Sequence, residues 1–123
     1  MTYVFILGKI LFGGYFIKSG YAHFKNVTML TGYAQSKKIP SPKIAVLVSG
    51  ALMLLGGIGI IVGPYTQLAT LLVLLFLVPT TLLMHQYWKI TDPMQKMGEE
   101  INFYKNVALI GSLMMIFCLV SLL

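Results

Sequence analysis

His85 is the residue of this chain best suited to acid–base chemistry, because an imidazole gives and takes a proton near neutral pH. Trp88 lies close to it in the chain, and Lys105 and Asn106 stand together at the predicted start of another helix. Histidine, aromatic and amide groups at one membrane level can hydrogen-bond a quinone carbonyl and relay its protons. The same residue types also anchor helices at a membrane surface without any ligand, so both interpretations stay open.

Lys9 is a second candidate for binding, for a different reason. It lies in an apolar stretch, about one and a half turns inside the predicted outer membrane edge. A buried ammonium group without a partner is costly, so the side chain either extends to the membrane surface or loses its proton. Extension to the surface is the simpler expectation. The functional alternative is a site for an anionic or quinone-oxygen group near the outer leaflet.

No metal site is predicted, because the histidines, the acids and the cysteine are not closely spaced. His23 and His85 could supply two axial ligands to a haem. However, we expect His23 at or beyond the end of the first helix, in a mobile connection, which argues against haem. With Cys118 as the only cysteine, thiol exchange is excluded, and no nucleophile–base pair or phosphate loop is visible. An enzyme acting alone is therefore not predicted.

The elements that must position these residues are four long apolar stretches, at about residues 2–21, 44–62, 66–88 and 103–123. A helix rises about 1.5 Å per residue, so each stretch can cross a hydrocarbon core of about 30 Å. The chain is 58% hydrophobic and 10% charged, and the stretches are apolar nearly all the way round. The sequence therefore predicts an all-α fold, an integral membrane bundle of four transmembrane helices in a single domain.

The lysines indicate the orientation of this bundle. Eight of the nine fall in or near the connections 22–43 and 89–102, on one side of the predicted bundle. The positive-inside rule makes that side cytoplasmic and turns both ends of the chain outward, in a bacterial-type inner membrane. Connection 22–43 mixes apolar residues with lysines, which favours a short amphipathic helix at the membrane surface. The net charge of +6 does not indicate nucleic-acid binding, because these lysines flank membrane stretches.

The first two stretches carry small residues at matching intervals. Gly13 and Gly20 lie seven residues apart on one face of the first, and Gly50 and Gly57 lie seven apart on one face of the second. Small residues on one face let neighbouring helices approach closely in a membrane. The first stretch is also too long for a signal-peptide core, so we expect it to be retained as a helix.

Five short segments give the chain a recognisable order. They are Gly-Tyr-Phe-Ile-Lys-Ser-Gly at 14–20, Ile-Pro-Ser-Pro at 39–42, Leu-Leu-Gly-Gly at 54–57, His-Gln-Tyr-Trp at 85–88 and Phe-Tyr-Lys-Asn-Val-Ala-Leu-Ile-Gly at 103–111. In this order and spacing the chain resembles the DoxX-like family of small membrane proteins. The resemblance implies a four-helix inner-membrane protein. The family name comes from a subunit associated with a quinone-reducing thiosulfate oxidoreductase, and other members are linked to membrane redox complexes.

One departure from the family pattern concerns a buried charge pair. Many relatives carry a glutamate before the double glycine of helix two and an arginine early in helix one, and the matching positions here are Met53 and Lys9. An acid–base pair across two helices would offset the cost of burying either charge. This chain has the base and lacks the acid, so an activity that needs that carboxylate is not expected here.

These observations favour a membrane subunit of a redox complex, linked to a quinone, that docks a soluble or membrane redox partner protein. The alternative is a non-catalytic scaffold or a stress-response or assembly protein, and whether the chain forms a homo-oligomer stays open. A small transporter is less favoured. Proton-coupled export needs a carboxylate inside the membrane, whereas Asp92, Glu99 and Glu100 all fall in connection 89–102.

Overall fold

The computed structural model describes residues 2–120 and 122, and these residues form helices joined by short connections. The α-helices are α1 Thr2–Lys25, α2 Val27–Ser36, α3 Pro42–Val62, α4 Thr66–Met84 and α5 Pro93–Val120, with a 3-10 turn at Tyr87–Lys89. No strand occurs within the described residues. The all-α fold expected from the sequence is confirmed.

Glycines set the closest helix contact. α1 packs along α3, α3 along α4, and α4 along α5, while the short α2 packs against α3. A Cβ atom on Gly13 would lie 2.7 Å from the carbonyl oxygen of Gly57, and one on Gly20 would lie 2.8 Å from that of Gly50. Real Cβ atoms do not come this close, so the α1–α3 contact requires glycine at these positions. The close approach predicted from the glycine spacing is present.

A tight turn makes α3 and α4 antiparallel neighbours. Gly63 has φ 109°, a backbone conformation that glycine adopts without strain, and Pro64 follows it. The Thr66 hydroxyl then donates a 2.7 Å hydrogen bond to the Gly63 carbonyl oxygen at the start of α4. The whole connection takes three residues, so the two helices lie side by side from their shared end.

The surface of the bundle is apolar. Leu11, Leu55, Leu75 and Leu119, for example, are exposed, which is the pattern of side chains that face lipid rather than water. Three helical segments are long and apolar enough to cross a membrane: Pro42–Val62, Thr66–Lys89 and Pro93–Val120. The protein is therefore a multi-pass membrane protein whose solvent is the bilayer.

α1 is not among these three segments. It has 24 residues and is about 36 Å long, but it carries Lys9 and Lys18 within its apolar run. Its contact along α3 brings it into the same bundle. That α1 also crosses the bilayer, which would give four spans, stays a prediction.

The connection between α4 and α5 is shorter than expected. α4 ends at Met84 rather than at residue 88, and α5 begins at Pro93 rather than at 103. Asp92 explains the early start, because its side-chain oxygen accepts a 3.0 Å hydrogen bond from the Gln95 N–H and Pro93 suits the first helical position. Lys105 consequently lies more than three turns inside α5 instead of at its start.

The first connection is mostly helical. α1 continues to Lys25 rather than ending at residue 21, and Asn26 alone separates it from α2. Ala34 is the buried residue of α2, which packs mainly against α3. That α2 lies at the membrane surface stays a prediction.

Candidate functional site

A cavity of about 450 Å³ lies between the helices and is partly open at the surface of the bundle; we call it the interior cavity. Its lining residues on α3 run from Ala45 to Met53, so it occupies the half of the bundle where α3 begins and α4 ends. We call this half the lysine-rich end, after Lys25, Lys37, Lys38, Lys43 and Lys89. The walls are mainly apolar, with side chains that include Phe16, Leu30, Met53, Phe76, Leu77 and Leu83. Small-molecule sites in proteins have volumes of about 300–1,000 Å³ and this kind of lining.

His85 is held on the cavity wall by a carboxyl group of the next helix. Its Nδ1 lies 3.1 Å from Oε2 of Glu99, in the second turn of α5. The hydroxyl of Tyr33 in α2 donates to the same carboxyl group, at 3.0 Å from each oxygen. When Nδ1 donates its proton to Glu99, Nε2 becomes the nitrogen that can exchange a proton with a ligand. The arrangement thus fixes both the ring and its tautomer.

Lys37 completes this group, which we call the Glu99 cluster: Tyr33, Lys37, His85 and Glu99. Its Nζ lies 3.7 Å from Glu99 Oε2 and 5.6 Å from the centre of the Tyr33 ring. Burial and the hydrogen bond to Glu99 raise the pKa of Tyr33 above its ordinary value. The tyrosine therefore stays a hydrogen-bond donor, and the cluster ties α2 to the ends of α4 and α5.

Asn106 is the unusual polar residue of the cavity. It is 6% exposed and lines the cavity. Among residues 2–120 and 122, its side chain has no hydrogen-bond partner. An amide on the wall of an apolar cavity without a protein partner is suited to a ligand that supplies one.

Lys105 stands beside Asn106 at the edge of the cavity. Its Nζ lies 3.2 Å from the hydroxyl of Tyr15 in α1 and 5.9 Å from the centre of that ring. The ion pairs of the described residues all use Glu99, so Lys105 has no carboxylate within ion-pair distance there. An ammonium group at the edge of an apolar cavity, without a carboxylate beside it, can bind an electron-rich oxygen of a ligand.

The structure brings His85, Lys105 and Asn106 to one cavity but not to one level. Lys105 lies six residues after Glu99, about 9 Å further along α5, because that helix starts early. The expectation that His85, Lys105 and Asn106 share one membrane level rested on a helix that started at residue 103. The cavity instead has a polar group at its lysine-rich end and another deeper in the bundle.

Trp88 does not line the cavity. Its ring packs edge-on against Tyr87, at 5.3 Å between centres, and against Phe103 at 5.7 Å, and half of the residue is exposed. It belongs to an aromatic cluster at the 3-10 turn, outside the site. The anchoring interpretation therefore fits Trp88 better than ligand contact does.

Lys9 lies far from the cavity. Its Nζ is 3.2 Å from where a Cβ atom on Gly63 would stand and 5.4 Å from the centre of the Phe5 ring. It is therefore level with the α3–α4 turn, at the end of the bundle away from the cavity. The simpler expectation for Lys9, extension to the surface, fits this position. Lys9 and Met53, which correspond to the family's charge pair, do not face each other. Lys9 is level with Gly63, and Met53 lies ten residues, or about 15 Å, along α3 from Gly63.

His23 lies within α1 and not in a mobile connection. Its Nδ1 is 2.8 Å from the Ser19 carbonyl oxygen, its ring meets Phe76 edge-on at 5.7 Å, and it lines the same cavity as His85. The position assumed in arguing against haem is therefore wrong. Within the described residues, no group of three histidines, cysteines or acids could hold a metal ion.

Sequence reasoning did not select Glu99 or Tyr33 as site residues. The helical phase of α5 contains the signal, because Glu99, Asn106 and Leu113 are spaced by seven residues and the last two are buried. Glu100 lies on a neighbouring face. Tyr33 had no signal, since the approach of α2 to α5 involves residues far apart in the chain.

The apolar bundle with its interior cavity defines a multi-pass helical membrane protein. A DoxX family model matches residues 4–86, which is more than half of the chain. The protein belongs to the DoxX family. No curated protein and no solved structure matches the chain. The matched region ends before α5, so Glu99, Lys105 and Asn106 come from a part of the chain that the family match does not cover.

Proposed function

We propose that this protein is the membrane subunit of a redox complex and binds a quinone ring in its interior cavity. The observation that carries the proposal is the pairing of a histidine fixed by a carboxyl group with a buried amide that lacks a partner, on the walls of one apolar cavity. An apolar ring with carbonyl oxygens matches both features. The DoxX family's link to quinone-reducing complexes, which the sequence resemblance implies, supports the redox part.

The chemistry follows from the groups on the wall. Reduction of a quinone to a quinol takes two electrons and two protons. In the proposed site the Asn106 amide donates a hydrogen bond to a carbonyl oxygen. His85 Nε2 passes one proton to the reduced ring, takes up another proton that comes from water, and passes this second proton to the ring as well. Glu99 lies against His85 Nδ1, and the cluster extends to Lys37 at the lysine-rich end, where protons can be replaced from water.

The electrons must come from a partner protein that carries a redox group, because the proposed site supplies only binding and protons. The lysine-rich end is the surface that we propose for docking. An acidic partner surface would be attracted there, since opposite potentials speed up association. By the positive-inside rule this end is cytoplasmic in our proposal, with both ends of the chain outward in a bacterial-type inner membrane.

A small proton-coupled transporter is the second candidate, and one observation raises it. Glu99 is not in a polar connection but in α5, with its side chain 16% exposed and hydrogen-bonded to His85 beside a cavity. A carboxylate–histidine pair next to a cavity can exchange protons as a substrate moves. The two proposals differ in a measurable way, because a transporter releases its substrate to water whereas a redox subunit retains a quinone.

The first test is lipid extraction and mass spectrometry on gently purified protein, with an absorption spectrum of the same sample. We expect about one quinone per chain in the parent and in the control Trp88→Phe, whose residue lies outside the cavity. His85→Gln and Asn106→Leu should lose it. Bulk phospholipid alone would overturn the proposal in favour of a scaffold. A haem absorption band would show that the ligand is a haem, held by His23 and His85, and not a quinone.

A further inference from the structure

A second concavity lies beside the interior cavity, between α1 and α5. Its volume is about 360 Å³, and it is lined by Gly8, Leu11, Phe12, Tyr15, Lys105 and Leu109. We call it the α1–α5 groove. The two helices that border it do not pack closely along one another, in contrast to the neighbouring pairs α1–α3 and α4–α5. The groove is therefore a seam of the bundle that faces the hydrocarbon of the membrane.

The groove and the interior cavity meet at two shared residues. Tyr15 and Lys105 line both spaces, and the hydrogen bond from Lys105 Nζ to the Tyr15 hydroxyl, 3.2 Å long, crosses the seam. This hydrogen bond links α1 directly to α5. The contact between these two side chains thus lies at the boundary between the interior cavity and the groove.

The two spaces differ in chemistry. The ammonium of Lys105 stands at the junction and has no carboxylate within ion-pair distance in the described chain. The amide of Asn106, the next residue, lies on the interior-cavity side; this residue is nine-tenths buried and has no hydrogen-bond partner in the described chain. Away from the junction the groove is apolar and runs along α1 towards Gly8, seven residues or about 10 Å from Tyr15. A ligand that fits both spaces has an oxygen-bearing head and a long apolar tail.

We propose that the α1–α5 groove holds the tail of the ligand whose ring occupies the interior cavity, so that the ligand is a quinone with a long prenyl tail. The inference rests on the proposed function for the identity of the ring. The ring lies against Asn106, the tail passes between α1 and α5 at Lys105, and its end reaches the bilayer from the groove. The ligand is thus taken from the membrane and not from water.

Gly8 allows a test that leaves the fold intact. A Cβ atom on Gly8 would meet nothing within 4 Å and Gly8 lines the groove, so we expect a larger side chain there to occupy part of the groove. Gly14, on the same helix, also has open space around a Cβ atom but does not line the groove or the interior cavity. Gly8→Phe therefore fills the tail subsite, and Gly14→Phe is its matched control.

The experiment measures binding of two probes, a prenyl-tailed quinone and the same quinone ring without a tail, to the protein in nanodiscs. We expect the parent and Gly14→Phe to bind the tailed probe about tenfold more tightly, as for added apolar groups in a fitted site. Gly8→Phe should lose this preference and keep its affinity for the bare ring.

Three results would overturn the inference, and they can be told apart. Equal binding of both probes to the parent, with loss of both in Asn106→Leu, would leave the proposed quinone site in place and remove the tail subsite. No binding of either probe to the parent would overturn the proposed function and the tail subsite together. A preference that survives in Gly8→Phe would place the tail elsewhere.

Discussion

The contact between α1 and α3 predicts opposite effects for one substitution at two glycines. A Cβ atom on Gly57 would lie 2.6 Å from the Gly13 carbonyl oxygen and 3.0 Å from the Ile17 amide nitrogen, whereas one on Gly14 would meet nothing within 4 Å. Because the obstacles at Gly57 include backbone atoms, α1 as a whole must move before an alanine fits. The two sites thus separate steric cost from every other effect of adding a methyl group.

The magnitude follows from two terms. Alanine is favoured over glycine inside a helix by about 0.5–1 kcal/mol, and this gain applies at both positions. Overpacking of a close contact costs about 1–3 kcal/mol and applies only at Gly57. We therefore expect Gly14→Ala to stabilise the protein by less than about 1 kcal/mol, and Gly57→Ala to be about 1–3 kcal/mol less stable than Gly14→Ala.

The assay is reversible unfolding in mixed micelles, in which the fraction of a denaturing detergent is raised and helix loss is followed by circular dichroism. Comparing the two variants cancels the helix-propensity gain, so their difference in unfolding free energy reports the steric term alone. If Gly57→Ala and Gly14→Ala unfold at the same detergent fraction, α1 and α3 do not approach through these glycines and the described packing is wrong.

Two further predictions concern the Glu99 cluster. Glu99→Ala should speed amide hydrogen exchange in α2 by about 10–100-fold, because the lost hydrogen bonds contribute about 1–3 kcal/mol to holding α2 against the bundle. Glu100→Ala is the control. Equal effects of the two substitutions would contradict the cluster. The raised pKa of Tyr33 means that the folded state holds this proton more tightly than the unfolded state, so stability should be complete below about pH 10 and fall as the pH rises further. Tyr33→Phe should be less sensitive to alkali in the same unfolding assay, and an unchanged pH dependence would show that Tyr33 does not contribute.

Much of the bundle could be predicted because the bilayer imposes a simple rule on it. Apolar stretches of the right length identify α3, α4 and most of α5, and the spacing of Gly13 and Gly20 identifies a helix contact. A hydropathy pattern does not detect a helix that continues into a polar segment. For this reason the sequence pattern assigns residues 93–102, the first turns of α5, to a connection. Asp92 and Pro93 carried the helix-start signal there.

The site was harder to predict because it depends on register. Placing Lys9 required the alignment of α1 against α3, which the Gly13–Gly57 contact sets and a hydropathy pattern does not contain. The choice of Glu99 over Glu100 required the phase of α5. His85 and Asn106 could be selected from residue type alone, because few polar side chains occur in so apolar a chain.

The single residue between α1 and α2 has a mechanical consequence. The Asn26 N–H donates to the Ala22 carbonyl oxygen at 2.8 Å, and its own carbonyl oxygen accepts from the Leu30 N–H at 3.0 Å, so the backbone hydrogen bonding continues through the bend. The connection allows little independent movement, so the orientations of α1 and α2 are coupled. If α1 moves away from α5, we therefore expect α2 to move with it. The contact between Tyr33 and Glu99 would then weaken.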